Sequence, residues 1–264
     1  MADCFIPEES HQSPRLSGLS GLPVEIISLI LSNFCLHCRE PQELPLAYVP
    51  ERQQELDQPS WYSLELQPLY SSCLVSRRLC QIAQPILYHE FVPGYGGSWR
   101  SREYSWSRRL SCFLRTVALR RDLAALVRRL YLTFYLRTLD IENEAGSVLE
   151  EVARARGINL SDFLQPFHNV WARDAGHGQY RPSTDELTAM LLSCLPNLTR
   201  LFLTQRSPWN AIPVSGLRIA GVSSLSLQTI DVCGYLDELR DRLGGILEMS
   251  ASTLRNLNID NYTM

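Results

Sequence analysis

The chain has 264 residues, of which 45% are apolar and 20% are charged, so it is long enough to bury a substantial core. Its formal net charge is −3, and because all 25 basic residues are arginine, mechanisms that require a lysine amine are excluded, among them Walker-type phosphate loops and Schiff bases. No apolar run reaches eighteen residues and the first residues lack a secretory signal, so the sequence predicts an intracellular protein, cytoplasmic or nuclear, without a membrane partner.

The first periodic segment follows residues 1–18, which are polar and are expected to form a disordered tail. In GLPVEIISLILSNF, residues 21–34, Pro23 suits a first helical turn because its missing N–H is not needed there. Glu25 places a negative charge near the positive end of the helix dipole. The apolar positions form one broad face that consists of Leu22, Ile26, Ile27, Leu29, Ile30 and Leu31. The sequence predicts a short helix with more apolar surface than its length needs.

An acidic segment with five prolines, residues 35–68, interrupts the helical pattern and is predicted to be a long surface loop. Helical periodicity returns over residues 69–82, and Pro85 is expected to break that helix and begin a further short one, PILYHEF. The glycine-, serine- and arginine-rich residues 94–109 predict another loop.

A repeat marks the remainder of the chain. Three stretches of the form L-x-x-L-x-L begin at Leu198, Leu227 and Leu254, which are 29 and 27 residues apart, and a fourth candidate begins at Val127. Helix-like segments alternate with them over residues 107–121, 142–157, 183–196 and 235–250. This alternation predicts an α/β fold over 107–264, namely a leucine-rich-repeat-like solenoid. The solenoid is expected to be truncated after its last strand or to pair there with another element. The alternative is that L-x-x-L-x-L arises by accident in an apolar chain.

Two N-terminal motifs occur in a fixed order before this repeat. The first is L-P-x-E-I-x-x-x-I over residues 22–30; the second is L-V-S-R-R over 74–78, followed by A-x-P-x-L-Y over 83–88. Together they resemble the F-box of fungal F-box proteins. The resemblance implies a helical module at 19–91 that docks on a Skp-type adaptor and, through it, on a cullin ubiquitin ligase. A linker at 92–106 and a substrate-recruiting domain at 107–264 would follow.

The resemblance also implies which residues contact the adaptor. They are Leu22, Pro23, Glu25, Ile26, Ile30, Leu74, Val75 and Ser76. The alternative is that Ile26, Ile30 and Leu74 form the core of the module itself, since apolar helical stripes are more often core than interface.

The insertion at 35–68 departs from the compact form of an F-box. If it loops out, adaptor binding survives, and if it replaces the middle helix, binding is weakened or lost. The side chains of Trp61, Tyr62, Leu64 and Leu66 are available to supply the packing of a middle helix.

Cysteine and histidine suggest a metal site only weakly. Cys35-Leu-His-Cys38 offers three soft ligands and Cys4 is a conceivable fourth, but no second ligand pair follows at suitable spacing. The sequence therefore predicts no metal and no other cofactor. Cysteines inside apolar runs are predicted to be small core residues in a reducing compartment; these are Cys73, Cys80, Cys112 and Cys194.

Other functions receive less support. Residues 99–109 interleave arginine with aromatic residues, as single-stranded nucleic-acid binders do, but the acidic overall balance disfavours nucleic acid. The arginines are expected to face solvent or the acidic segment, and a third possibility is that they bind an acidic or phosphorylated substrate, because arginine suits carboxylate and phosphate. A polar loop brings together residues capable of acid–base chemistry, namely His168, Asp174, His177 and Tyr180. No nucleophile elbow or phosphate cradle accompanies them, and a hydrolase is therefore disfavoured.

The predicted function is that of a noncatalytic subunit that recognises a protein substrate of unknown identity. The alternative is a leucine-rich scaffold that joins no ligase. Because ubiquitin is ordinarily attached to lysine, the lysine-free chain is further expected to be modified slowly within its own ligase, whereas the favoured cause of this composition is arginine-biased codon usage without a regulatory meaning.

Overall fold

The computed structural model describes residues 21–39, 61–92, 106–134, 143–167, 184–205, 212–233 and 239–260. The helices in these ranges are α1 (Val24–Ser32), α2 (Trp61–Val75), α3 (Arg77–Leu87), α4 (Trp106–Leu119), α5 (Arg121–Ala124), α6 (Asn143–Arg156), α7 (Leu160–Leu164), α8 (Thr184–Cys194), α9 (Val214–Ile219) and α10 (Leu239–Ser250), with a 3-10 turn at Gln165–Phe167. The strands are β1 (Glu90–Phe91), β2 (Arg129–Phe134), β3 (Arg200–Gln205), β4 (Thr229–Cys233) and β5 (Asn256–Asp260). The protein is thus of mixed helix and strand, as predicted.

The five strands form one parallel sheet whose spatial order equals their order in the chain. Two rows of apolar residues run across it in register. The first row is Leu130, Leu201, Ile230 and Leu257, and the second is Leu132, Leu203, Val232 and Ile259. These residues are the second and third apolar positions of the four L-x-x-L-x-L stretches. The predicted strand at each stretch, including the candidate that begins at Val127, is therefore confirmed.

The main core lies on the side of the sheet that carries these rows. Leu114 of α4, Leu149 of α6 and Met190 of α8 are fully buried and belong to the same apolar cluster as Leu130 and Leu201. Helix α4 packs against both α6 and α8. We call the sheet, together with the helices α4 to α10, the sheet domain. Since full burial of such a side chain is worth about 1.5–3 kcal/mol, this cluster dominates the stability of the sheet domain.

Three N-terminal helices, α1 to α3, form the second and smaller core, and we call them the N-terminal module. Ile27 and Leu31 of α1 pack with Leu69 of α2 and with Leu79 and Ala83 of α3. The remaining buried members of this cluster are Cys35 and Ile86. A core of this size supports far less stability than that of the sheet domain.

The predicted loop over 35–68 is wrong at its C-terminal end, because α2 begins at Trp61 and continues through Pro68. Proline removes one backbone hydrogen bond from the helix. Packing outweighs this local penalty, since Leu66 and Leu69 on either side of the proline belong to the core of the module. Residues 40–60 lie outside the described residues.

The single helix predicted over 69–82 is two helices that meet at Ser76. The backbone of Ser76 is extended, and its Oγ accepts a hydrogen bond of 3.2 Å from the N–H of Leu79, which is the geometry of an N-cap. The break predicted at Pro85 is also wrong, because α3 continues to Leu87. Pro85 lies in the last turn, where its missing N–H costs a single helical bond.

The predicted helix PILYHEF ends early and gives way to a strand. Glu90 and Phe91 form β1, which pairs in parallel with Arg129 and Leu130 of β2. Strand β1 lies inside the predicted module at 19–91, yet it is the first strand of the sheet. Helix α3 therefore leads almost directly into the sheet, and the two regions are joined before the predicted linker at 92–106.

Candidate docking surface and cysteine–histidine cluster

The N-terminal module exposes many apolar side chains. On α1, Ile27 is fully buried, whereas Ile26 and Ile30 are 44% and 38% exposed. At the end of α2, Leu74 and Val75 are each 71% exposed. We call the exposed large apolar residues of the module the docking surface; its members are Val24, Ile26, Leu29, Ile30, Tyr70, Leu74 and Val75. The alternative, in which Ile26, Ile30 and Leu74 form the core of the module, is therefore wrong.

A hydrogen bond joins the two halves of the N-terminal motif. The guanidinium Nη2 of Arg78, in the first turn of α3, donates to the carbonyl oxygen of Leu22 at 2.6 Å. Leu22 directly precedes Pro23, the N-cap of α1, and Val75 ends α2 three residues before Arg78. The start of α1 and the junction between α2 and α3 are consequently neighbours.

The remaining predicted contact residues lie around this junction. Pro23 is exposed and precedes the first residue of α1, while Glu25 is exposed in the first turn of that helix. Leu22 and Ser76 are half-buried, and Ser76 is the N-cap of α3. All eight predicted positions are thus at least partly accessible, and they lie at helix ends or on outward faces.

Exposed apolar residues are concentrated in the module. Of the eleven large apolar residues described as exposed, seven belong to the docking surface. The other four are Leu119, Ile219, Leu257 and Ile259. Among the described residues, the sheet domain has more large apolar side chains than the module but leaves only these four exposed, so the exposure of apolar side chains is concentrated on the module.

A second feature lies where the module meets the sheet. Cys35, His37 and Cys38 follow α1, and His89 lies between α3 and β1; their potential ligand atoms all lie within 4.8 Å of one another. Sγ of Cys38 is 3.2 Å from Nδ1 of His89 and 3.9 Å from Nδ1 of His37. Sγ of Cys35 is 3.9 Å from Nδ1 of His89. We call these four residues the cysteine–histidine cluster.

Backbone contacts hold both parts of the cluster on the sheet. The N–H of Leu36 donates to the buried Oε1 of Glu90 at 2.7 Å, and the carbonyl oxygen of Leu36 accepts from Nη1 of Arg129 at 3.2 Å. The carbonyl oxygen of His89 accepts from the N–H groups of Arg128 and Arg129 at 2.8 and 3.1 Å. The turn that carries the cysteines and the segment that carries His89 are therefore both fixed to β1 and β2.

The side chain of Leu36 packs on the sheet face opposite the main core. It is buried with Val92 of the segment after β1, Tyr131 of β2 and Phe202 of β3, and Leu66 of α2 packs on the same group. Side chains alternate between the faces of a strand, so Tyr131 lies on the opposite side from Leu130 and Leu132. The module thus covers part of this second face.

The two thiols of the cluster have opposite protonation preferences. A hydrogen bond to Cys38, together with burial, raises the pKa of Cys35 far above its usual value. The hydrogen bond from Cys35, helped by those from His37 and His89, lowers the pKa of Cys38 well below its usual value in spite of burial. The lowered pKa favours the thiolate at Cys38 over that at Cys35, and a thiolate is the form that binds metals.

A polar row continues along the second face beyond the part covered by the module. Nε and Nη2 of Arg200 donate to the two carboxylate oxygens of Asp231 at 2.6 and 3.1 Å. Nδ2 of Asn258 donates to Oδ1 of Asp231 at 2.8 Å. The bidentate pair joins β3 to β4, and the bond from Asn258 adds β5 to this polar row.

Sequence reasoning missed His89 because it lies 51 residues after Cys38, outside the local pattern that a metal motif requires. The cysteines elsewhere are only partly as predicted. Cys194 is buried, Cys73 and Cys80 are half-buried, and Cys112 is exposed because α4 turns Leu110 and Leu114 inward instead. The remaining predicted positions lie outside the described residues; they are Cys4, residues 99–105, His168, Asp174, His177 and Tyr180.

Comparison with protein-family models, with curated proteins and with solved structures gives no match to this chain. In the part of the chain that the structure describes, every helix is too short or too polar to cross a bilayer.

Proposed function

We propose that this chain is the substrate-recognition subunit of a Skp–cullin–F-box ubiquitin ligase. The N-terminal module would bind a Skp-type adaptor, and the sheet domain would bind a protein substrate. The observation that carries the proposal is the exposure of Ile26, Ile30, Leu74 and Val75, which are apolar positions of the two F-box-like motifs.

The energetics favour a partner for these side chains. Large apolar groups left in water lose about 1.5–3 kcal/mol each relative to burial. Seven such residues on a module of three short helices are more than a solvated surface usually carries. Helix-on-helix docking buries residues at this spacing, and a few apolar anchors then supply most of the binding energy.

The middle helix of an F-box-like module has a counterpart in α2. Helix α2 contributes Leu69 to the core of the module and Leu74 to the docking surface. The residues between α1 and α2 are therefore additional to the three helices and do not take the place of the middle helix. This supports the version of the proposal in which the insertion leaves adaptor binding intact.

The sheet domain suits a recognition role. Each of its strands lies beside the next in the chain, and the apolar rows are in register, which is the arrangement expected of a leucine-rich-repeat-like solenoid. In this mechanism the chain performs no chemistry. It holds the substrate near the ligase, and the raised effective concentration drives ubiquitin transfer.

Adaptor binding by the full chain tests the proposal. We expect micromolar or tighter binding to a Skp-type adaptor in calorimetry, and the double substitution Ile26→Ala with Leu74→Ala should weaken it about tenfold or more, since about 1.4 kcal/mol corresponds to tenfold. Leu119→Ala, which removes a 54% exposed leucine outside the module, is the matched control and should bind like the wild type. A folded wild-type chain that shows no binding at micromolar concentration contradicts the proposal.

The same experiment addresses the alternative, a leucine-rich-repeat-like scaffold that joins no ligase. One observation favours it, namely the distance along the chain between Ser32 at the end of α1 and Trp61 at the start of α2. A compact F-box has few residues at this point. Failure to bind the adaptor, combined with capture of other proteins by the sheet domain alone, would support the scaffold.

A further inference from the structure

We propose that the cysteine–histidine cluster binds one Zn²⁺ ion that connects the N-terminal module to the sheet. The inference does not depend on adaptor binding. It rests on four donors that converge from two segments of the chain, Cys35, His37 and Cys38 on one side and His89 on the other.

The geometry suits tetrahedral zinc. Zinc–sulfur and zinc–nitrogen bonds of about 2.3 and 2.0 Å place neighbouring sulfur and nitrogen ligands about 3.5 Å apart. The sulfur–nitrogen distances of 3.2 Å and 3.9 Å from Cys38 to the two imidazoles lie on either side of this value. The distance of 3.9 Å from Cys35 to His89 agrees equally well. Binding therefore needs only small movements of side chains.

The donor set selects the metal and its role. Two thiolates with two imidazoles suit zinc and are poor ligands for magnesium or calcium, which prefer oxygen. All four tetrahedral positions are supplied by the protein, which is typical of a structural site and leaves none open for a reacting water. The Cys-x-x-Cys spacing of Cys35 and Cys38 is the usual chelating half of such a site.

The surroundings hold the donors in place before the metal arrives. The N–H of Leu36 is bonded to the carboxylate of Glu90, and the side chain of Leu36 is buried against Tyr131 and Phe202. The carbonyl of His89 is bonded to two N–H groups at the start of β2. Because these contacts already order both segments, little conformational entropy remains to be lost on binding.

The position of the cluster determines what the ion would do. Cys35 is buried in the core of the module, while Leu36, the next residue, packs on the second face of the sheet. His89 is followed directly by β1. An ion at this point links α1 to the first strand, and its removal should loosen the module from Tyr131 and Phe202.

Metal analysis of the reduced full-length chain is the first test. We expect one zinc per chain, and cobalt substitution should give the intense visible absorption of a tetrahedral site with thiolate ligands. Cys38→Ser and His89→Gln should each weaken zinc binding by more than the roughly 10–100-fold that loss of an outer-shell partner costs. Cys112→Ser removes an exposed thiol outside the cluster and should bind like the wild type. Equal binding by all of these chains would overturn the proposal.

A second test needs only the wild-type chain and therefore does not depend on whether the variants fold. Zinc should protect Cys35 and Cys38 from alkylation, as measured by mass spectrometry, while Cys112 reacts at the same rate with and without metal. Chelation should raise hydrogen exchange at residues 34–39 and 88–92 more than in β4. A chain that takes up neither zinc nor cobalt after reduction, or one in which Cys35 and Cys38 form a disulfide in the purified protein, contradicts the inference. Adaptor binding enters neither readout, so the two proposals fail separately.

Discussion

The sheet domain and the N-terminal module use similar apolar residues in opposite ways. In the sheet domain, the members of the two apolar rows on β2, β3 and β4 are covered by helices and are buried, Leu130 and Leu201 completely so. In the module, Ile27 is fully buried while Ile26, the residue before it, is 44% exposed. The difference shows that the apolar content of a segment does not tell whether its side chains pack inside the chain or remain exposed. The informative quantity is the apolar surface that remains exposed once the local core is complete, because such surface indicates a binding partner.

The largest expected effect comes from the core of the sheet domain. Leu201 is fully buried in β3 between two other strands, so Leu201→Ala should lower the free energy of unfolding by about 2–5 kcal/mol through lost burial and a residual cavity. Leu119→Ala, at a 54% exposed position, should change it by less than about 0.5 kcal/mol. Urea unfolding of both variants measures the difference, and equal losses would contradict the burial of the row.

Two leucines of one helix test the comparison inside the module. Leu69 of α2 is fully buried and Leu74 is 71% exposed. Leu69→Ala should destabilise the module by about 2–3 kcal/mol, near the lower limit for buried leucines because a small core can relax around the cavity. Leu74→Ala should cost less than about 1 kcal/mol. Hydrogen exchange of α1 to α3 reports the stability of the module, and a larger loss for Leu74→Ala would show that the docking surface is core.

The contact between the two regions should be sensitive to alkaline pH. Burial, followed by the nearby charge of Glu90, raises the pKa of Tyr131 to about 12. The unfolded chain releases this proton near pH 10 and the folded chain retains it to about pH 12, so this stability is complete below about pH 10 and is lost as pH rises through 12, by about 2.3 kcal/mol at pH 12. Unfolding free energies at pH 9 and pH 11 should reveal this loss in the wild type.

Two phenylalanine variants isolate that contribution. Tyr131→Phe has no phenol at this site and should lose less stability between pH 9 and pH 11 than the wild type. Tyr70→Phe, at a position 58% exposed on the docking surface, should keep the pH dependence of the wild type. If Tyr131→Phe retains the full loss, then Tyr131 ionises as it does in the unfolded chain and is not buried by Leu36.

The smallest expected effect concerns the junction of α2 and α3. Ser76→Ala removes the oxygen that accepts the N–H of Leu79 and should cost about 0.5–2 kcal/mol, since the first turn of α3 then loses its cap. Ser71→Ala, at an exposed position inside α2, should be neutral or slightly stabilising because alanine favours helix interiors. Thermal unfolding of the two variants compares them, and equal melting temperatures would contradict the capping role.

The repeated pattern allowed the strands to be predicted because each one places the same apolar positions in register on one face of the sheet. A pattern that occurs four times outweighs local accidents, and every Leu or its equivalent in the two rows was recognisable in this way. Helix α1 was predictable for a similar reason, from Pro23, Glu25 and its apolar face. The exposed side of that face was not, because the assignment of inside and outside depends on where α2 and α3 pack.

The errors occurred where tertiary contacts override local signals. Pro68 and Pro85 predict helix ends, yet both lie within helices whose neighbouring residues are buried. Strand β1 has two residues, too few to produce a period, and it exists because β2 provides a partner. The cysteine–histidine cluster was missed since its fourth donor, His89, joins it only through the fold. Long-range proximity of this kind has no local signature.

Leu36 is buried on the second face of the sheet, and this contact can form only after β3 has been synthesised. Leu36 leaves the ribosome 166 residues before Phe202, its partner on β3. At about 5–20 residues per second, this delay is on the order of ten to thirty seconds. During that time Leu36 and Leu66 cannot pack against the sheet, because Phe202 has not yet been synthesised. The apolar side chains of α1 and α2 have already been synthesised. A nascent chain therefore exposes the apolar side chains of these helices before β3 is made, and early capture by a chaperone would protect them until the third strand is in place.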